Sequence, residues 1–133
     1  MTRIVSSFAA LTLLVVGLSQ RPLAAADMSA GQRAIADAAR QNQHTFVMFY
    51  RGDDPATQNM HRTVQSTLAE RTDAVVLPVR LDDAAETALV ERFDATRTPM
   101  PATVVLAPNG AITSVFPQRV APQQLTASIV PPS

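Results

Sequence analysis

Met100-Pro-Ala-Thr-Val-Val-Leu-Ala-Pro-Asn-Gly110 is the stretch on which the fold turns. A proline and small residues lead into the apolar run Ala102 to Leu106, which reads as a strand. Pro108-Asn109-Gly110 is a strong turn signal, and Ala111 to Phe116 reads as the hairpin partner. Upstream, Thr45-Phe-Val-Met-Phe-Tyr-Arg-Gly-Asp-Asp-Pro-Ala-Thr57 begins with an almost unbroken apolar and β-favouring run to Tyr50. Such a run suits a strand buried on both faces. Asp54-Pro55 then starts a helix, with an acid at the N-cap and proline at the first helical position. Met60, Val64 and Leu68 follow at steps of four, giving that helix a core-facing stripe up to about Arg71.

The remaining elements fall around these. Ser29 caps a helix to Gln41 whose apolar stripe is Ala34, Ile35, Ala38 and Ala39. Ala74 to Leu81 reads as a second buried strand. A short helix follows Asp82-Asp83, with Ala85, Leu89 and Phe93 at steps of four. Ala121 to Val130 is a last helix, with Leu125 and Ile129 inward and Pro131-Pro132 ending it. The order is α-β-α-β-α-β-β-α: a βαβ unit, then a β-hairpin, then a C-terminal helix.

The N-terminus has the three-part pattern of a secretory signal. Arg3 gives a positive start, Ile4 to Leu18 is apolar and uncharged, and Ala24 and Ala26 are the small residues before a cut at Asp27. The apolar stretch is shorter than the roughly 20 residues of a spanning helix. The expectation is a signal over residues 1–26, one domain over residues 27–133, and a secreted or periplasmic location. A membrane association is expected only if the segment stays uncleaved as an anchor. From residue 27 onward, nine arginines face eleven acids, a net charge of −2. The arginines are scattered among acids, so no basic face points to nucleic acid. No lysine and no cysteine occur. The absence of cysteine excludes both disulfide stabilisation and a thiolate nucleophile.

The two quoted stretches, with Phe49-Tyr50 at a strand end and Val79-Arg-Leu-Asp-Asp83 as a second strand with an acidic end, resemble the thioredoxin-like family. The resemblance implies an α/β three-layer sandwich with a mixed sheet whose first strand is missing or frayed. It places the two family cysteines of Cys-x-x-Cys on Asp54 and Thr57, and the buried carboxylate that assists proton transfer on Met48. Both thiols and their proton partner are therefore absent. Pro101 aligns with the family's cis-proline without a gap, which favours it over Pro99, and Met100 then presents its backbone to an extended peptide.

These residues frame the candidate sites. Tyr50, Asp53, Asp54, Met100 and Pro101 form an expected peptide-binding groove, with Arg51 nearby. Asp53 and Asp54 are adjacent, so they do not share a face for paired acid–base work; capping suits them better, and they would favour a basic or neutral peptide. The Thr57 hydroxyl sits where some glutathione-handling relatives use one, without a base visible beside it. His44, Met48, Met60 and His61 are soft or borderline ligands, but the histidines lack metal-motif spacing and the methionines lie on apolar stripes. The expectation is a non-redox, non-enzymatic binding module for a protein or extended peptide, without metal or cofactor. A metal- or small-ligand-binding envelope protein, or a decayed paralogue, is the alternative.

Overall fold

The structure is a computed structural model that describes residues 28–129. The expected signal segment, residues 1–26, lies outside them. Helix α1 runs Ala30–Arg40. The Ser29 hydroxyl accepts from the Gln32 amide at 3.0 Å, and the Gln32 side chain accepts from the Ser29 amide at 2.8 Å. This reciprocal box satisfies two amides that a helix start otherwise leaves unpaired. The chain then turns at Asn42, whose φ of 59° is a conformation asparagine tolerates.

Strand β1, His44–Tyr50, is buried for all but its last residue, as its composition requires. Helix α2 runs Pro55–Leu68 and crosses over to strand β2, Ala74–Arg80, which pairs with β1 in parallel. A 3₁₀ turn at Ala84–Glu86 leads into α3, Thr87–Arg92. Strands β3, Ala102–Leu106, and β4, Ile112–Pro117, form an antiparallel hairpin, and β3 pairs antiparallel with β1. The sheet order is β2-β1-β3-β4, with α4, Pro122–Ala127, closing the chain.

Alternation along the strands sends side chains to two cores. Phe46, Met48 and Val105 meet Met60, Val64, Leu68 and Leu125 on the α2 and α4 side. Val47, Phe49, Val104 and Leu106 meet Leu89, Val90 and Ala95 on the other, with Ile35 of α1 packed against them. Two cores on one mixed sheet make the expected three-layer sandwich.

Three local expectations are corrected. Strand β2 is not buried on both faces: it is the sheet edge, and most of its residues are partly exposed. Among the described residues no strand lies beyond it. The Asp73 carbonyl accepts from the His44 amide and the Leu81 amide donates to the Tyr50 carbonyl, so the alternate residues Ala74, Val76, Pro78 and Arg80 direct their main chain outward. Pro78 has no N–H to offer there, which weakens this edge as a pairing template. The stripe Ala85, Leu89, Phe93 holds at Leu89 and Phe93 but fails at Ala85, because the 3₁₀ turn rotates the register. Ala85 is exposed and Glu86 is buried instead. Helix α2 stops at Leu68 rather than near Arg71.

Candidate functional site

The chain leaves β1 at Tyr50 and turns through Arg51, Gly52, Asp53 and Asp54 into α2. Asp53 and Asp54 are exposed. Asp54 is the N-cap: its Oδ1 accepts from the Thr57 amide at 3.1 Å, and Pro55 occupies the first helical position. The Asp53 carbonyl accepts from the Gln58 side chain at 2.9 Å. Hydrogen bonding by Thr57, side chain first and amide second, holds the Asp54 carboxyl below its usual range. A carboxylate so stabilised is a poorer base. The two positions aligned with the family's cysteines are thus bonded to each other as a helix cap.

Across the end of the sheet, the Met100–Pro101 peptide is cis, as the alignment implied. Pro101 is buried, and its carbonyl accepts from the Gln118 amide at 2.6 Å. Met100 is half-buried against the Val47–Phe49–Val104 core. No described residue makes a hydrogen bond to the Met100 main chain. Tyr50 packs instead on the Phe46–Met60 core, on the opposite face. The five expected groove residues therefore gather at one end of the sheet, but Tyr50 and Met100 do not share a face. A ligand touching both must lie across the strand ends.

The soft-ligand set does not converge. Met48 and Met60 are core side chains in one cluster, and the Met60 sulfur accepts from the Thr103 hydroxyl at 3.2 Å. His44, expected just before β1, is its first residue and is buried. Burial is the largest influence on its imidazole and pushes its pKa below 6.5; Asp73 pulls it up and Arg71 pushes it further down. His61 lies in α2 with Nε2 buried and without a hydrogen-bond partner among the described residues. Among those residues no cluster of three or more His, Cys, Asp or Glu is placed to hold a metal.

Sequence reasoning did not select the segment after β4. Gln118, Arg119 and Val120 border a groove of about 440 Å³ whose other wall is Ala56, Asn59, Met60 and Thr63 of α2. The helical spacing of those four was legible, but what faced them was not. A smaller, more enclosed cavity of about 70 Å³ lies on the opposite face, where Phe49, Phe93, Met100, Ile112 and Val115 meet.

No protein-family model and no curated protein matches this chain. Solved structures do. A thioredoxin variant from Halobacterium salinarum superposes with a TM-score of 0.60 at 24% identity, covering 77% of this chain and 85% of that one. The germline-specific thioredoxin protein Deadhead of Drosophila melanogaster gives 0.56 at 25% identity, over 71% of this chain and 85% of its own. Trxlp from Edwardsiella tarda gives 0.58 at 18% identity, over 74% and 93%. The fold is thioredoxin-like, on a chain without cysteine.

Proposed function

We propose that this cysteine-free thioredoxin-like domain is an exported binding module that holds an extended peptide or protein segment at the end of its sheet, without redox chemistry. Without a thiol the chain cannot itself carry out thiol–disulfide exchange. The Met100 main chain carries the reading: it lies at the end of the sheet where β1 leaves for the Asp53–Asp54 turn, and it makes no hydrogen bond to a described residue. An extended segment can pair with it as an added strand, which provides affinity independent of side-chain identity. Export rests on the pattern of Arg3, Ile4 to Leu18, and Ala24 and Ala26.

The test is a peptide-display screen against the protein beginning at Asp27, followed by Met100→Asp and Tyr50→Ala. Loss of binding in Met100→Asp, with circular dichroism unchanged, supports the end-of-sheet site. Binding unchanged in both variants places the contact elsewhere. Insulin-disulfide reduction is expected at the no-enzyme background, and turnover by thioredoxin-free material would refute the non-redox assignment. N-terminal sequencing of exported protein is expected to begin at Asp27; an intact Met1 in the envelope fraction would make the segment an anchor.

A further inference from the structure

The groove between α2 and the segment after β4 has a lining of uneven charge. Ala56, Asn59, Met60 and Thr63 form a single stripe along α2 at helical spacing. Met60 is the floor, 3% exposed, with its sulfur already engaged by Thr103. The Asn59 carbonyl oxygen accepts from Arg62 at 3.1 Å, which leaves the Asn59 amide hydrogens as donors. Gln118, Arg119 and Val120 line the opposite side. Arg119 is exposed and forms no ion pair among the described residues. No Asp or Glu lines the groove. The wall is donor-rich and carries one cation.

The backbone here is held against its preference. Gln118 has a φ of 66°, a left-handed conformation that glycine adopts freely and that a Cβ disfavours. Two bonds fix it: its own amide donates to the Pro101 carbonyl at 2.6 Å, and the Arg119 amide donates to the Pro117 carbonyl at 2.7 Å. The second closes a three-residue turn centred on Gln118. A glutamine kept where glycine fits better stands at the rim of a groove, beside a cation. Such strain is characteristic of binding positions.

We propose that this groove is a subsite for a carboxylate of the bound segment: an Asp or Glu side chain of an extended peptide, held by Arg119 and by the side-chain amides of Gln118 and Asn59. A planar guanidinium beside amide donors matches the acceptor geometry of a carboxylate. The inference rests on the peptide-binding reading for the nature of the ligand. It adds that the ligand is acidic on this side, opposite in sign to what the Asp53–Asp54 turn favours.

The test uses three fluorescein-labelled peptides, alternating Glu with Leu, Gln with Leu and Lys with Leu, titrated by fluorescence anisotropy. The Glu peptide is expected to bind about tenfold more tightly than the Gln peptide, with the preference shrinking as salt rises, because exposed charges are screened. Arg119→Glu is expected to abolish the preference. Gln118→Gly is expected to leave the Tm unchanged or higher while weakening the Glu peptide about threefold; a stability loss equal to the binding loss would overturn the role of its side chain. Met100→Asp separates the two readings. If it removes binding of all three peptides while Arg119→Glu has no effect, the end-of-sheet site stands and this subsite falls. If the Glu preference survives Met100→Asp and is lost in Arg119→Glu, the reverse holds. N-acetylglutamate binding as tightly as the peptide would overturn the extended-peptide assignment in favour of a small carboxylate. Absence of Glu-peptide binding up to millimolar concentration would overturn the proposal outright.

Discussion

Replacing Gly31 with alanine sets two physical effects against each other, and the structure decides between them. Gly31 is the second residue of α1, where helix propensity alone makes Ala more favourable by about 1 kcal/mol. Yet a Cβ at this position would stand 2.7 Å from Leu89 Cδ1 and 2.8 Å from Glu86 Oε1, well inside van der Waals contact. Leu89 is 1% exposed and packed among Val47, Phe49 and Val104, so it has little room to retreat. Overpacking of this kind costs about 1–3 kcal/mol. The same shift disturbs the bond from the Gly31 amide to Glu86 Oε2, 2.9 Å long and buried. A bond of that type contributes about 1 kcal/mol or more. The expected net effect of Gly31→Ala is a destabilisation of about 1–3 kcal/mol, read from urea unfolding followed by circular dichroism. Leu89→Ala alone should cost about 2–5 kcal/mol, and in the Gly31→Ala background at least about 1 kcal/mol less. A Gly31→Ala protein more stable than the parent by the propensity increment would refute the packing of α1 on α3 described above.

Acidification through the histidine range should destabilise the fold. Burial lowers the His44 pKa below 6.5, so the neutral imidazole is favoured in the native state and the unfolded chain binds the proton more tightly. This contribution is complete above pH 6.5 and is lost as pH falls through the lower native pKa. The unfolding midpoint is therefore expected to drop between pH 7 and pH 5, and His44→Gln should flatten that slope; equal slopes in both proteins would exclude His44 as its source. Asp54 and Asp73, whose pKa values lie below 3.8, contribute stability that is present above that value and disappears only at more acidic pH. Thr103→Val is expected to change stability by less than about 1 kcal/mol, because the buried hydroxyl donates only to a thioether, a weak acceptor. A loss above about 2 kcal/mol in thermal or urea unfolding would show that the hydroxyl does more than fill space.

The fold was legible where local chemistry and tertiary context agree. Asp54-Pro55 caps and starts α2 by itself, and the Pro108-Asn109-Gly110 turn fixes the β3–β4 hairpin whatever surrounds it. Strand β2 was misread because Ala74 to Val79 is as apolar as an interior strand; whether another strand pairs beyond it depends on chain outside the segment. Pro78 was the available signal, since an outward-facing proline belongs on an edge. Glu86 was missed for a similar reason. Its burial comes from the Gly31 amide 55 residues away, and no periodicity records that contact. At the candidate site, the sequence located Met100, Pro101 and the Asp53–Asp54 turn, but not the face on which Tyr50 packs. That face follows from strand parity, which places Tyr50 with Phe46 and Met48. The groove beside Arg119 was not legible, because β4 has to end before its following residues can meet α2.

The local electrostatics at the start of α2 differ from those a reactive thiolate needs. A reactive thiolate at a helix N-terminus depends on backbone amides to stabilise its charge. Here the Asp54 carboxylate takes that place and is held ionised by Thr57, so it is charged throughout the neutral range. Thr57 is buried beneath it, and no thiol can replace either group. Asn59 stands five residues farther along the same helix, about 8 Å of axial rise, where the groove turns donor-rich toward Gln118 and Arg119. The same first turns of α2 thus separate a fixed negative end from a positive rim. The Pro101 carbonyl, bonded to the Gln118 amide, ties that rim to the strand that follows Met100. Fixed charges of opposite sign along one strand end would orient the extended ligand proposed above, acidic side toward Arg119, without any group that must gain or lose a proton. On this reading the thioredoxin-like scaffold keeps its cis-proline and its helix start, while the turn aligned with the family's cysteines serves as a cap and an anchor of negative charge.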